Sequence, residues 1–455
     1  MIFLSSVTIV FFPVFSYNNP MINRLILRGR QFVSTQPDTF NYGIDGLLVM
    51  GALSIAANNN NLFAQRLGAT DFQLTHLQLF PHLLALFLLI PAGLLVGSLR
   101  NKRKVISLML LLTGIFFAVI SVSAFMPGNQ VLFFVIFFAL ASVSVNGMYN
   151  VTWQAYFPEV VQEEKRNTVL TFRTRMTMFI ALGVPLAVGV ILTSIPSMSG
   201  KIAAHQIFYA VAAVLLIVNA FHFRKIKATA PAESKRVSFA EIKIAARRLK
   251  GNKPFIIFTL AMLFFHMTWQ IDWTIAFICQ STYLQMNELA LTMVPVSGVI
   301  AQLLTLKFWS KNNAKKGVDQ PVVYAILGLA VLPLGFIAAM NMSHMPGIIL
   351  FLAVHFITQL TIVNIVLNLF QCLLKVSDEE YRSFSISIYI SIMTLSNAIM
   401  PRVGVWIYHQ LGANAQALQM TFAGVVVLRL LAAGVWMLRV KFMKKQLLDS
   451  GSSPE

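Results

Sequence analysis

A 455-residue chain that is 57% hydrophobic and 11% charged, with 37 Phe, is solvated mostly by lipid. This excludes the two or three soluble domains its length would otherwise allow. The formal charge of +19 would suggest a nucleic-acid partner in a soluble protein, but here membrane orientation accounts for it: all but four of the 35 Lys and Arg residues fall in alternate gaps between apolar runs. No nucleic-acid partner is expected.

Met1–Ser16 is apolar but short for a span, and it lacks both a basic n-region and a small-residue cleavage site. Two readings stand: an interfacial N-terminal segment, or a start at Met21, which opens the basic tail INRLILRGRQ. Apolar runs of spanning length then lie near 42–63, 73–98, 105–126, 131–152, 170–193 and 205–223. A polar stretch, 224–254, follows; its middle, AESKRVSFAEIKIAARRLKG, predicts a cytoplasmic linker carrying a surface helix. Six more runs lie near 255–279, 288–308, 321–341, 347–373, 384–408 and 418–438. The chain ends in a short polar tail, 441–455.

Basic residues cluster at every second gap, as in Arg24/Arg28/Arg30, Arg100/Lys102/Arg103/Lys104, Lys165/Arg166/Arg173/Arg175 and Lys307/Lys311/Lys315/Lys316. The opposite gaps hold only Arg66 and Lys201, while Arg402 and Arg429 sit within runs. Basic residues resist translocation, so the rich side is cytoplasmic, and both termini are expected there. The expected fold is an all-α membrane protein of twelve transmembrane helices in two six-helix bundles, 40–223 and 255–440, preceded by the segment 1–39.

The halves repeat one another. Asn146, Asn150 and Trp153 recur 218 residues later as Asn364, Asn368 and Gln371. Glu163-Glu164-x-Arg166 and Pro185 recur at a spacing of 216 as Glu379-Glu380-x-Arg382 and Pro401. Duplicated six-helix halves are an architecture of secondary transporters, whose site lies between the repeats near mid-membrane.

The motifs sharpen this. The segment LFAQRLGATDFQL (62–74) and the stretch Gly93-Leu-Leu-Val-Gly97-Ser-Leu-Arg100-Asn101-Lys102-Arg103-Lys104 resemble the connections between helices 1, 2 and 3 of the major facilitator superfamily. The resemblance runs from about Phe40 to Lys445. The family's signature has an aspartate where Gly97 stands and a glycine where Arg100 stands, so the cytoplasmic latch attributed to that acid must be weakened or replaced. The arginine that proton-coupled drug exporters usually carry in helix 4 is missing, and their helix 5 pattern is only partly echoed by Gly183-Val-Pro185-x-x-x-Gly189.

The resemblance implies a central cavity lined by helices 1, 4, 7 and 10. In the seventh run His266, Trp269, Gln270, Trp273 and Phe277 share one helical face, which would either line that cavity or pack against neighbouring helices. Asn146 and Asn150, Asn364 and Asn368, Gln359, and up to two of Asn58–Asn61 are further candidates, since carboxamides both donate and accept. Asp45 and Asp272 are the acids within spans, and with His82 and His266 they are the candidate proton sites. Asp45 could instead pair with Arg173 or Arg175. Asp272 and Arg402 both fall roughly 26 Å from the cytoplasmic side at 1.5 Å per residue, so they are an expected outer-gate pair.

Cys279 and Cys372 fall near opposite faces, which rules out a disulfide. No metal-ligand cluster, nucleophile–base pattern or phosphate loop occurs, so no cofactor and no enzyme activity are expected. The sequence therefore predicts a monomeric plasma-membrane carrier embedded in the lipid bilayer. Its expected partners are a small solute, leaning to a neutral polar one such as a sugar, and a coupling ion, with protons favoured. Efflux of amphipathic compounds is the alternative; a sensor built on a transporter fold and a polytopic enzyme rank behind it.

Overall fold

The computed structural model describes residues 37–56, 59–96, 101–126, 128–226, 239–377 and 382–449. Asn58, Gly97, Arg100 and the first 36 residues lie outside these. Hydrocarbon cannot hydrogen-bond a backbone, so apolar runs satisfy their own amides as helices. The first half contains α1 (Pro37–Ala56), α2 (Asn60–Arg66), α3 (Asp71–Val96), α4 (Lys102–Ile120), α5 (Gln130–Ser142), α6 (Asn150–Val160), α7 (Glu163–Ser194) and α8 (Met198–Phe223). The surface helix α9 (Phe239–Gly251) follows. The second half contains α10 (Lys253–Gln270), α11 (Trp273–Ile278), α12 (Glu288–Lys316), α13 (Pro321–Met340), α14 (His344–Val376), α15 (Arg382–Gln410) and α16 (Ala415–Asp449). Among the described residues, 11 helices are long and apolar enough to cross a membrane.

Polar side chains begin several of them. Asn101, Ser197, Asn252 and Asn287 each accept a backbone N–H from the first turn of the helix that follows. The helices also outrun the apolar stretches: α7 starts at Glu163, α12 continues to Lys316 and α16 to Asp449. Lys, Arg, Gln and Leu are good helix formers, so the helix persists past the apolar boundary.

Two spans are less regular than their hydropathy suggests. The seventh run breaks at Ile271–Asp272 between α10 and α11, then ends in a π segment, Cys279–Tyr283. The fourth passes through a π segment, Val143–Tyr149, between α5 and α6. Such π turns are frequent at functional sites.

Within the first half, α1 packs on α7 and α8, and α4 on α8; within the second, α14 packs on α12 and α13, and α16 on α10 and α13. The halves meet through α3 with α15 and α7 with α12. The repeated prolines, Pro185 and Pro401, lie on two of these seam helices. One apolar core joins the halves, running from Leu74 and Leu77 to Ile275, Ile278, Val405 and Tyr408. A separate core, around Phe258, Met262, Cys372 and Trp436, belongs to the second half. Among the described residues the shared core thus closes the halves together at one end, the end that carries α2 and α11.

Candidate functional site

The α10–α11 face carries His266, Trp269 and Trp273 half-buried, with Trp269 and Trp273 edge-to-face at 6.4 Å. Gln270 lies behind them, 1% exposed, and spans two helices. Its amide donates to His266 Nδ1 (3.0 Å) while its oxygen accepts from Ser396 on α15 (2.7 Å). A neutral imidazole accepting at Nδ1 carries its proton on Nε2, and that nitrogen is buried without a partner. The face therefore presents one unspent N–H beside two indoles.

A second polar network joins α12 to α14. Ser297 meets His355 Nδ1 at 3.2 Å, Gln359 meets His355 Nε2 at 3.3 Å, and Gln302 donates to Gln359 at 2.8 Å. Gly298 keeps this contact close, since a Cβ there would sit 3.2 Å from the imidazole. The repeated asparagines differ in placement. Asn146 and Asn150 are exposed on their span, with Asn146 donating to Ser142 (3.2 Å). Asn364 and Asn368 are buried, and Asn364 accepts from Asn313 of α12 at 3.3 Å. The first pair can reach solvent or solute; the second faces protein.

Both acids within spans are engaged. Asp45 is fully buried and accepts from Tyr149 (2.9 and 3.0 Å), Asn219 (3.0 Å) and, more distantly, Arg173 (3.5 Å). The Arg173 guanidinium lies over Trp153 at 4.4 Å. Asp272 does not meet Arg402. Its carboxylate takes Arg429 Nη2 at 2.7 Å, and Arg429 also donates to the carbonyls of Thr268, Trp269 and Leu329. The helix break turns Asp272 inward to α16, so matching depth did not make a pair. Arg402 instead approaches His76 of α3 at 3.1 Å. His82 bonds the Gln78 carbonyl of its own helix at 2.7 Å.

In the signature region, Gly93 belongs to α3, Lys102 pairs with Glu159 at the end of α6 (2.5 Å), and Arg103 donates to the Arg224 carbonyl (3.2 Å). Cys279 and Cys372 are both buried and free.

The end of the molecule that carries the shared core also holds a cluster that hydropathy alone did not point to. Glu288, in the first turn of α12, pairs across the seam with Arg66 of α2 and with Lys201 of α8 (2.5 Å). Thr193 of α7 also donates to it (3.4 Å), and His205 of α8 lies 2.7 Å from Arg66. A carboxylate in a first helical turn suits the positive end of the helix dipole. The signal was present in the chain: Arg66 and Lys201 are the two basic residues of gaps that otherwise hold none, and both converge on this carboxylate. Nearby, Asp71 meets His409 at 3.1 Å and Gln65 meets Ser281 at 3.4 Å, again across the seam.

The comparisons agree with this architecture. A search of characterised proteins by sequence finds no match. Among solved structures, a bacterial homologue of the iron transporter ferroportin in an inward-facing state is similar, at 13% identity and TM-score 0.69, covering 89% of this chain and 98% of that one. The nucleoside transporter NupG is similar at 12% identity and TM-score 0.66, over 89% and 99%. A bacterial homologue of the human lysosomal transporter Spinster, inward-facing and unoccupied, follows at 12% and 0.62, over 90% and 96%. At these identities the likeness is one of fold. Residues 40–374 match the sequence family described as Major Facilitator Superfamily, and the chain, a multi-pass membrane transporter and not an enzyme, belongs to that superfamily.

Proposed function

We propose that this protein carries a small neutral polar solute across the plasma membrane by alternating access, with its outer gate closed in this structure. In this reading twelve spans form two six-helix bundles, 40–223 and 255–440, joined by the cytoplasmic linker 224–254 with both termini inside. The solute sits between the bundles against His266, Trp269 and Trp273, with Gln359, Asn146 and Asn150 contributing amides. The observation that carries the proposal is the unspent His266 Nε2–H beside the two half-buried indoles. Leaving such a donor unpaired costs about 1–3 kcal/mol, which a hydroxyl or carbonyl of the solute would recover. Asp45 and Asp272 both have protein partners, which favours a solute without net charge. An ion gradient, protons above all, supplies the energy. The edge-to-face tryptophans also suit a flat amphipathic compound, and efflux of such a compound is the second reading.

The test is flux in reconstituted vesicles with a panel of sugars, nucleosides and amphipathic cations. Trp269→Ala and Gln270→Ala should each raise the half-saturating concentration of the transported solute about tenfold or more while leaving insertion intact. Unchanged apparent affinity in both variants would make this face a packing surface.

A further inference from the structure

We infer that His205 is a proton-binding site of the outer gate, and that its protonation from outside releases the Glu288 latch. The inference rests on the reading of this structure as a transporter closed at its outer end. Arginine has hydrogen-bond donors and no acceptor, so the 2.7 Å contact from Arg66 Nη1 requires His205 Nε2 to be a lone pair. The imidazole in the closed gate is therefore neutral. It is 1% exposed and stacks on Phe63 at 4.9 Å, which fixes the ring beside Arg66.

The charges facing this imidazole are Arg66 from α2, Lys201 one turn away on its own helix, and Glu288 from α12, which Arg66 and Lys201 share. On the inner end of α8, Asn219 meets Asp45, about 21 Å away at 1.5 Å per residue, too far to compensate. Two cations now share one carboxylate. A proton on His205 would abolish the hydrogen bond from Arg66 and place a third cation beside the same carboxylate, in a site shielded from water. Arg66 must then swing off the imidazole, and with it goes the ion pair that ties α2 to α12 across the seam. Closure and protonation of His205 exclude one another, so by linkage external acid favours the open gate. No other reactant is involved: one proton enters from outside and converts imidazole to imidazolium.

The size of the effect follows from that exclusion. With an imidazole of ordinary affinity, pKa about 6.5, in the open gate, the open population relative to the closed one rises about tenfold between pH 7.5 and 5.5. Thr292 supplies the reporter. It is 3% exposed, one turn inward from Glu288, and faces Gly189 across the seam. A Thr292→Cys protein with Cys279 and Cys372 replaced by Ala would be labelled from outside by a membrane-impermeant thiol reagent.

Labelling should accelerate about tenfold on acidification in the His205 protein. It should lose that pH dependence in His205→Gln, which keeps an acceptor for Arg66 but cannot take the proton. His205→Asn, equally neutral, guards against a misfolded first variant and should behave alike. Glu288→Gln should label rapidly at every pH, because the latch is cut downstream of the imidazole. A tenfold acid response retained in both His205 variants, or no acid response in the His205 protein, overturns the inference. Slow labelling of Glu288→Gln would overturn it together with the assignment of the gate. Solute flux in the same vesicles tests the transport reading separately.

Discussion

Each half of the molecule buries one acid in its first span, and the two are held in different ways. Asp45 sits inside an unbroken stretch of α1 and is satisfied by a phenol, a carboxamide and a guanidinium at 3.5 Å. Asp272 sits at a break, and its partner Arg429 has a second task. The break leaves the last carbonyls of α10 without helical N–H partners, and Arg429 caps two of them while pairing with the acid that follows. Arg429 is fully buried, whereas the Arg173 side chain is 22% exposed. One arginine is a structural bolt; the other is a partly exposed charge held by Tyr149 at 3.4 Å and by the face of Trp153.

Removing the arginines separates the two cases most strongly. Arg429→Met should cost about 3–5 kcal/mol of stability, because it strands a buried carboxylate and uncaps the helix end. Arg173→Met should cost less, about 1–2 kcal/mol, since its contact is long and the buried Asp45 keeps Tyr149 and Asn219 as donors. Thermal unfolding of the purified variants measures both. Adding Asp272→Asn to Arg429→Met should recover part of the loss. Equal melting temperatures for the two single variants would erase the distinction.

Two glycines sharpen the same contrast at smaller scale. Gly404 of α15 lies against the break itself, where an added Cβ would fall 1.8 Å from the Ile271 carbonyl oxygen. Gly46 of α1 faces side-chain atoms alone, Arg173 Cγ at 2.7 Å and the Thr177 methyl at 3.0 Å. Gly404→Ala should therefore destabilise by about 1–3 kcal/mol, because backbone must move. Gly46→Ala should come out near neutral, its helix-propensity gain of about 1 kcal/mol offsetting a side-chain adjustment. The comparison fails if Gly46→Ala proves the more damaging of the two.

The long apolar helices were legible in the chain because they follow from a one-dimensional quantity, apolar run length, and the family because short local motifs at 62–74 and 93–104 carry it. The seventh-run face was legible too, since helical periodicity places His266, Trp269 and Trp273 together. The partners were not. Pairing Asp272 with Arg402 assumed a straight helix, and the break rotated the acid toward α16. Asn364 and Asn368 shared a face with each other as expected, but periodicity cannot tell a face turned to α12 from one turned to solute. Glu288 counted as a loop acid because it starts a helix, and its importance appears only once α2, α8 and α12 converge. Long-range convergence of single charged residues leaves no period in a sequence.

The smallest expected effect lies outside the long apolar helices, at the turn between α12 and α13. Asp319, between α12 and α13, accepts from Arg439 of α16 and from Lys375 of α14 at 3.4 Å. Burial alone would raise its carboxyl, but the Arg439 guanidinium and the Lys375 ammonium outweigh it and hold it below the ordinary carboxylate range. A carboxyl depressed in the folded state stabilises the fold above its unfolded pKa, near 3.9, and loses that contribution as pH falls through the folded value. Its side chain is 27% exposed, so the contribution is about 1 kcal/mol, well below that of Arg429. Asp319→Asn should accordingly melt below the unmodified protein at pH 7, with the gap narrowing from about pH 5 downward and closing only below the depressed folded-state pKa. A gap of constant size across that range would mean that Asp319 acts through its shape and hydrogen bonds, with its charge contributing nothing.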